Sequence, residues 1–96
     1  MTKASRIPAL IEALGQEIKA RRLELGLTQE DFATDIGIDR PFVSLMEVGK
    51  KQPSLSVLFR VALGLDLTLA DLAGRVERRY TRHTLEADNG RGRPSE

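Results

Sequence analysis

Cysteine is absent from this chain of 96 residues, and so is tryptophan. No disulfide can staple the fold, and no thiolate can bind a metal or attack a substrate; the absence suits a reducing cytoplasm. Histidine occurs once, as His83. No metal-ligand cluster and no glycine-rich phosphate loop accompanies it. No catalytic residue, metal site or cofactor is therefore expected, and the chain does not read as an enzyme. No apolar run approaches the ~18 residues of a membrane span. Glu12, Gln16 and Glu17 interrupt the N-terminal stretch where the core of a signal peptide would lie. A cytoplasmic protein without a membrane partner is expected. A charge excess is missing too, since the formal net charge is +1. Affinity for nucleic acid would have to come from local clustering of basic residues.

The length allows about one domain. A chain of this size buries roughly 60–65% of its unfolded surface, enough for a modest core without staples. Its organising stretch is Thr28 to Val48, TQEDFATDIGIDRPFVSLMEV. Two short helical patterns flank Gly37-Ile38-Asp39. The first, 29–36, sets Phe32, Ala33 and Ile36 on one face. The second, 40–48, does the same with Val43, Met46 and Glu47. Such spacing marks buried stripes. Gly37 can take the positive φ of a tight turn, and Ala33 is small where two helices would cross closely. Helices joined steeply through a short glycine turn form a helix-turn-helix, whose usual work is to seat the second helix in the DNA major groove.

Pro8 suits the first turn of a helix predicted over 8–25 and closed by Gly26, with Leu10, Leu14, Ile18 and Leu25 on its stripe and Arg22 inside that stripe. These apolar residues line a core, with the Leu10-Ile11 end left open as a partner contact. Thr28 caps the second helix, with Asp31 three residues on; Asp39 caps the third, where Pro41 is tolerated. Lys50-Lys51-Gln52-Pro53 is a basic loop. Ser54 caps a fourth helix with Leu55, Leu58, Phe59, Ala62 and Leu63 on its apolar face and Gly64 at its close. Thr68 caps a fifth, striped by Leu69, Leu72, Val76 and Tyr80. The end from residue 83 has almost no apolar residues and reads as a disordered tail. The expectation is all-α, five helices, with one domain over 8–82.

The segment from Leu14 to Leu72 resembles the lambda-repressor-like (Cro/cI-type, XRE) DNA-binding domain. The likeness rests on Phe32, Ala33, Ile36, Gly37, Ile38, Val43 and Met46 and on GKKQPSL at 49–55. DRPFVSLME with a short fifth helix is also similar to controller proteins of restriction–modification systems. The resemblance implies a five-helix lambda-repressor-like fold acting as a bare DNA-binding unit. It also implies roles for particular residues. Gln29 stands where the family has a Gln at the start of the second helix, and its amide with the free helix-end N–H groups suits a phosphate oxygen; Thr28, the cap beside it, is read as DNA-binding with it. Arg22 and Glu47 match a family ion pair linking the first helix to the third. Lys50 and Lys51 match a loop that contacts the DNA backbone.

If Val43, Met46 and Glu47 point inward, then Pro41, Ser44, Leu45 and Val48 point outward, flanked by Arg40 and Phe42. Family members often carry Gln, Arg, Ser or Thr at the positions of Pro41, Phe42 and Leu45. Here only Arg40 and Ser44 offer side-chain hydrogen bonds. Arg40 fits a guanine by O6 and N7, and Leu45 fits a thymine methyl. Pro41, Phe42 and Leu45 are read as DNA contacts with Arg40 and Ser44, but Leu45 and Phe42 are equally readable as extra core or a protein contact. So sparse a donor set shifts weight to DNA shape and dimer spacing.

The partners expected are double-stranded DNA, as a palindromic operator, and a second copy of the chain. One helix-turn-helix touches too few base pairs for useful specificity. The dimer is expected through helix 5, at Leu69, Leu72, Val76 and Tyr80. An antitoxin-like protein that also binds a partner protein is the alternative.

Overall fold

The structure is a computed structural model; it describes residues 6–89, with the side chains of 6–85. Among the described residues there are five helices and no strand. They are α1 (Pro8–Glu24), α2 (Gln29–Ile36), α3 (Arg40–Glu47), α4 (Leu55–Gly64) and α5 (Leu69–Asn89). None is long and apolar enough to cross a membrane.

The caps read from the sequence are made. The Thr28 hydroxyl accepts from the Asp31 N–H at 2.9 Å, the Asp39 carboxylate from the Phe42 N–H at 2.9 Å, and the Ser54 hydroxyl from the Val57 N–H at 3.2 Å. At α5 the cap is reciprocal. Thr68 Oγ1 accepts from the Asp71 N–H at 2.9 Å, and the Thr68 N–H points back at Asp71 Oδ2 at 3.5 Å. Each cap satisfies a helix-end donor that has no partner within the helix, which fixes where the helix starts.

The core brings all five helices together around Ile18, Phe32, Val43, Met46, Val61, Leu65 and Leu72, each fully buried. Two glycines let the helices approach. A Cβ on Gly15 would overlap the Met46 carbonyl oxygen and lie 2.6 Å from that of Glu47, so α1 rests directly on the backbone of α3. A Cβ on Gly64 would run into Ile36 and stand 3.0 Å from Phe32 Cε1. Gly64 is thus a packing residue inside α4; the left-handed position that follows the helix belongs to Asp66, at φ 60°. Gly15→Ala forces α1 off α3 and is expected to cost about 1–3 kcal/mol, the range for overpacking. Thermal unfolding checks this, since a melting temperature unchanged from wild type would mean the two helices are not in contact.

Three expectations are corrected. α1 ends at Glu24, and Leu25 lies on the surface; Leu27, half-buried, packs against the core in its place. In α4 the buried side is Val57, Leu58, Val61, Ala62 and Leu65, whereas Leu55, Phe59 and Leu63 are 71%, 50% and 60% exposed. The segment LSVLFRVALG is apolar around most of its circumference, so periodicity leaves its phase open. Close contact of Gly64 with Phe32 and Ile36 sets it. Finally, α5 continues past residue 82 to Asn89. Residues 81–85 bury nothing, and one turn is reinforced by the Thr84 hydroxyl donating to the Tyr80 carbonyl at 2.8 Å. Residues 90–96 of the expected tail lie outside the described residues.

α5 is tied to the rest through charge as well as apolar contact. Glu17 of α1 is buried and accepts from Arg79 at 3.0 and 3.1 Å, with Arg75 at 3.5 Å. Leu72 and Val76, read as dimer residues, are 0% and 7% exposed, and Tyr80 packs on the same cluster. They are core: α1 needs a cover on the side that α3 leaves open, and this stripe supplies it. Leu69 is half-buried. Leu72, Val76 and Tyr80 also line an open, largely apolar cavity of about 520 Å³ together with Leu10, Ile11 and Leu14 of α1.

Candidate nucleic-acid interface

α3 is placed by a three-residue turn. Gly37 ends α2 at φ 70°, ψ 32°, in the left-handed region that glycine enters without a Cβ clash. The Ile38 N–H then returns to the Ala33 carbonyl at 3.1 Å, and Ile38 drops its side chain against the core. Asp39 starts α3, and Pro41 sits in its first turn. Val43 and Met46 are completely buried and Glu47 nearly so, which turns Arg40, Pro41, Leu45 and Val48 outward.

An ion pair locks α3 to α1. Arg22 Nε lies 2.6 Å from Glu47 Oε2 and Nη2 lies 3.0 Å from Oε1, a two-pronged contact; Nη1 donates to the Leu27 carbonyl at 2.7 Å. Both side chains are buried, Arg22 at 7% and Glu47 at 2% exposure. Such a charge is tolerable in a core only when paired and hydrogen-bonded, and no buried side-chain polar atom among the described residues lacks a partner. The network reaches further. Gln29 Nε2 donates to Glu47 Oε1 at 3.0 Å, and the Ser44 hydroxyl donates to Gln29 Oε1 at 2.8 Å. α1, the start of α2 and the middle of α3 are thereby held in one rigid unit.

The residues expected at the surface separate into groups. Arg40, Pro41 and Leu45 are exposed on one side of α3, and Val48 extends that side. Lys50 and Lys51 stand exposed just beyond it, on a loop anchored by the Lys50 N–H to the Leu45 carbonyl at 2.8 Å. Among the described residues none of these three cations is ion-paired. Thr28 is exposed at the start of α2, its hydroxyl engaged in the cap. Phe42 is half-buried and packs against the core at the edge of the outward arc. Gln29 and Ser44 are half-buried and bonded to each other, so neither side chain is simply free for DNA.

The interface is thus a nearly uncharged ridge with one cation at its head and two at its foot. The first turn of α2 carries Glu30 and Asp31, which favour the helix but oppose an approaching phosphate. A family model described as helix-turn-helix matches residues 18–72, more than half of the chain. The protein belongs to the helix-turn-helix family. Control protein C.MunI from Mycoplasma sp is 38% identical over 60 residues, which is 62% of this chain and 81% of that protein. Among solved structures, the clp gene regulator ClgR from Corynebacterium glutamicum superposes with a TM-score of 0.79 at 26% identity, covering 85% of this chain and 87% of that one. The restriction–modification controller protein C.Esp1396I, solved as a tetramer with its natural 35 base-pair operator, gives 0.69 at 26% identity over 75% of this chain and 95% of that one. The likeness to controller proteins expected from DRPFVSLME is met by C.MunI and C.Esp1396I.

Among the features of this helix-turn-helix protein that escape the sequence reading, two lie away from the α3 surface. One is the Glu17–Arg75–Arg79 tie, whose signal was available: Glu17 adjoins the buried Ile18, and the two arginines flank Val76 at i, i+4 spacing. The other is the outward apolar row on α4, which the misplaced phase concealed.

Proposed function

We propose that this protein is a sequence-specific DNA-binding transcriptional regulator that works as a homodimer on a palindromic operator, with α3 in the major groove. The observation behind this reading is the outward side of α3, held rigid by the buried Arg22–Glu47 pair and flanked by Arg40, Lys50 and Lys51, which are unpaired among the described residues. A preorganised helix spends little ordering entropy on docking. Arg40 reads a base from the head of α3; Leu45 and Pro41 supply apolar contact; Thr28, the second amide hydrogen of Gln29, Lys50 and Lys51 face the phosphates. The reading assigns the chain no catalytic step.

Lys51→Ala is expected to weaken all duplexes alike and to flatten the dependence of log affinity on log salt by about one unit. Titrations at several salt concentrations on operator and random duplex test this. Equal slopes for the two proteins would remove Lys51 from the backbone contacts.

The second copy belongs on α4. Leu55, Phe59 and Leu63 recur at i, i+4, i+8 and are each at least half exposed. A two-fold axis pairs a patch with itself, and an uncharged apolar row satisfies that requirement without like-charge conflict. Binding to two half-sites requires the two α3 helices of the dimer to lie roughly 34 Å apart, one turn of DNA. Phe59→Glu is expected to turn the dimer into a monomer with its fold intact. Light scattering at tens of micromolar checks this. A wild type that is already monomeric there would contradict the homodimer and return the row to a partner protein.

A further inference from the structure

The hydrogen bonds behind α3 have a direction as well as a position. Glu47, ion-paired to Arg22, can only accept. Gln29 must therefore turn its amide nitrogen toward Glu47, as it does at 3.0 Å. That leaves the amide oxygen facing Ser44. An amide oxygen also only accepts, so the Ser44 hydroxyl gives it its one proton, at 2.8 Å. The chain of donors runs from Ser44 to Gln29 to Glu47 and ends on the charge that Arg22 supplies.

We propose that Ser44 is an acceptor-only reader of one base in each half-site. Its remaining lone pairs take a hydrogen bond from the amino group of adenine N6 or cytosine N4, and disfavour guanine and thymine at that position. Ser44 lies one helical turn after Arg40 and one before Val48, both exposed, and it is itself half-buried, with one side toward Gln29. It shares the outward arc that the functional reading places in the groove, and the inference rests on that reading. The guanine O6 and N7 and the thymine O4 are acceptors. To meet one of them Ser44 would have to withdraw its proton from Gln29, leaving a part-buried amide oxygen unpaired. Gln29 is then a positioning residue: it sets the polarity of Ser44 without touching the base.

The test is a set of affinities on the selected operator and on its variants with every single-base change. For wild type, one position per half-site should prefer adenine or cytosine over guanine or thymine by about 3–10-fold, the range of one hydrogen bond. Ser44→Ala should level that position and leave the others as they were. Gln29→Leu, which removes the acceptor for the Ser44 proton, should raise guanine and thymine there toward parity. Modified DNA gives the same answer without altering the protein. If adenine is preferred, a purine lacking the N6 amino group should lose the preference, while 7-deazaadenine should keep it; for cytosine, a base lacking the N4 amino group should lose it. Unchanged preferences at every position in Ser44→Ala, or a Ser44-dependent position that favours guanine or thymine, would overturn the role of Ser44 alone. The lack of any preferred sequence would overturn the DNA-reading function as well.

Discussion

Glu47→Ala is expected to destabilise the domain by about 3–5 kcal/mol, the range for stranding one member of a buried ion pair. The carboxylate is 2% exposed and meets Arg22 twice. Without it the guanidinium keeps only the Leu27 carbonyl, and Gln29 loses the acceptor for its amide nitrogen. A domain of this size has ~5–15 kcal/mol in total, so the variant should sit near its unfolding midpoint in mild denaturant. Arg22→Ala strands the opposite charge and should lose a similar amount. Equilibrium unfolding in urea measures both. A loss below about half a kcal/mol would place the pair in the class of solvated surface bridges, which the burial of both side chains contradicts. Because α1, α2 and α3 share this network, any residual folded Glu47→Ala should also bind DNA with reduced selectivity.

Arg40→Ala is expected to cost about 1–3 kcal/mol of operator affinity per half-site, and far less on random duplex. Arg40 opens α3, is exposed, and is unpaired among the described residues. The first residues of a recognition helix approach the base edges, and a guanidinium fork matches the two acceptors of guanine. A phosphate contact from the same residue would behave differently. It would lower affinity for operator and random duplex equally and would reduce the salt slope. The ratio of the two affinities therefore assigns the contact: a ratio that falls with the substitution marks base readout, and a constant ratio moves it to the backbone. In the second case readout would rest on Ser44, Leu45 and DNA shape.

Much of this fold was legible because its punctuation is local. Thr28, Asp39, Ser54 and Thr68 each start a helix through a bond to a backbone N–H three residues on, and that pattern needs no tertiary information. Gly37 was legible for the same reason, since one backbone angle explains it. The Arg22–Glu47 pair was legible through the family resemblance, with which the place of both charges on otherwise apolar stripes agrees. What escaped was what depends on the third dimension. The segment α4 has apolar residues on both sides, and only the contact of Gly64 with Phe32 and Ile36 chooses between them. Leu72 and Val76 lie on an apolar stripe as read, and the structure packs both in the core of the same chain; a stripe alone does not say whether its cover is another helix of the same chain or a second copy. Gln29 and Ser44 are 15 residues apart, and their bond appears only once the turn has folded α3 back beside the start of α2. The end of α5 was misjudged because residues 81–85 form helix without burial, where a reading based on buried stripes has nothing to detect.

The most direct test of the account is selection of bound duplexes from a random pool by the wild-type protein at moderate salt. The account predicts enrichment of one sequence made of two inverted half-sites, centred about 10–10.5 base pairs apart as two α3 helices one turn of DNA apart require. A pool that stays random after repeated rounds, while the protein remains folded, would contradict it.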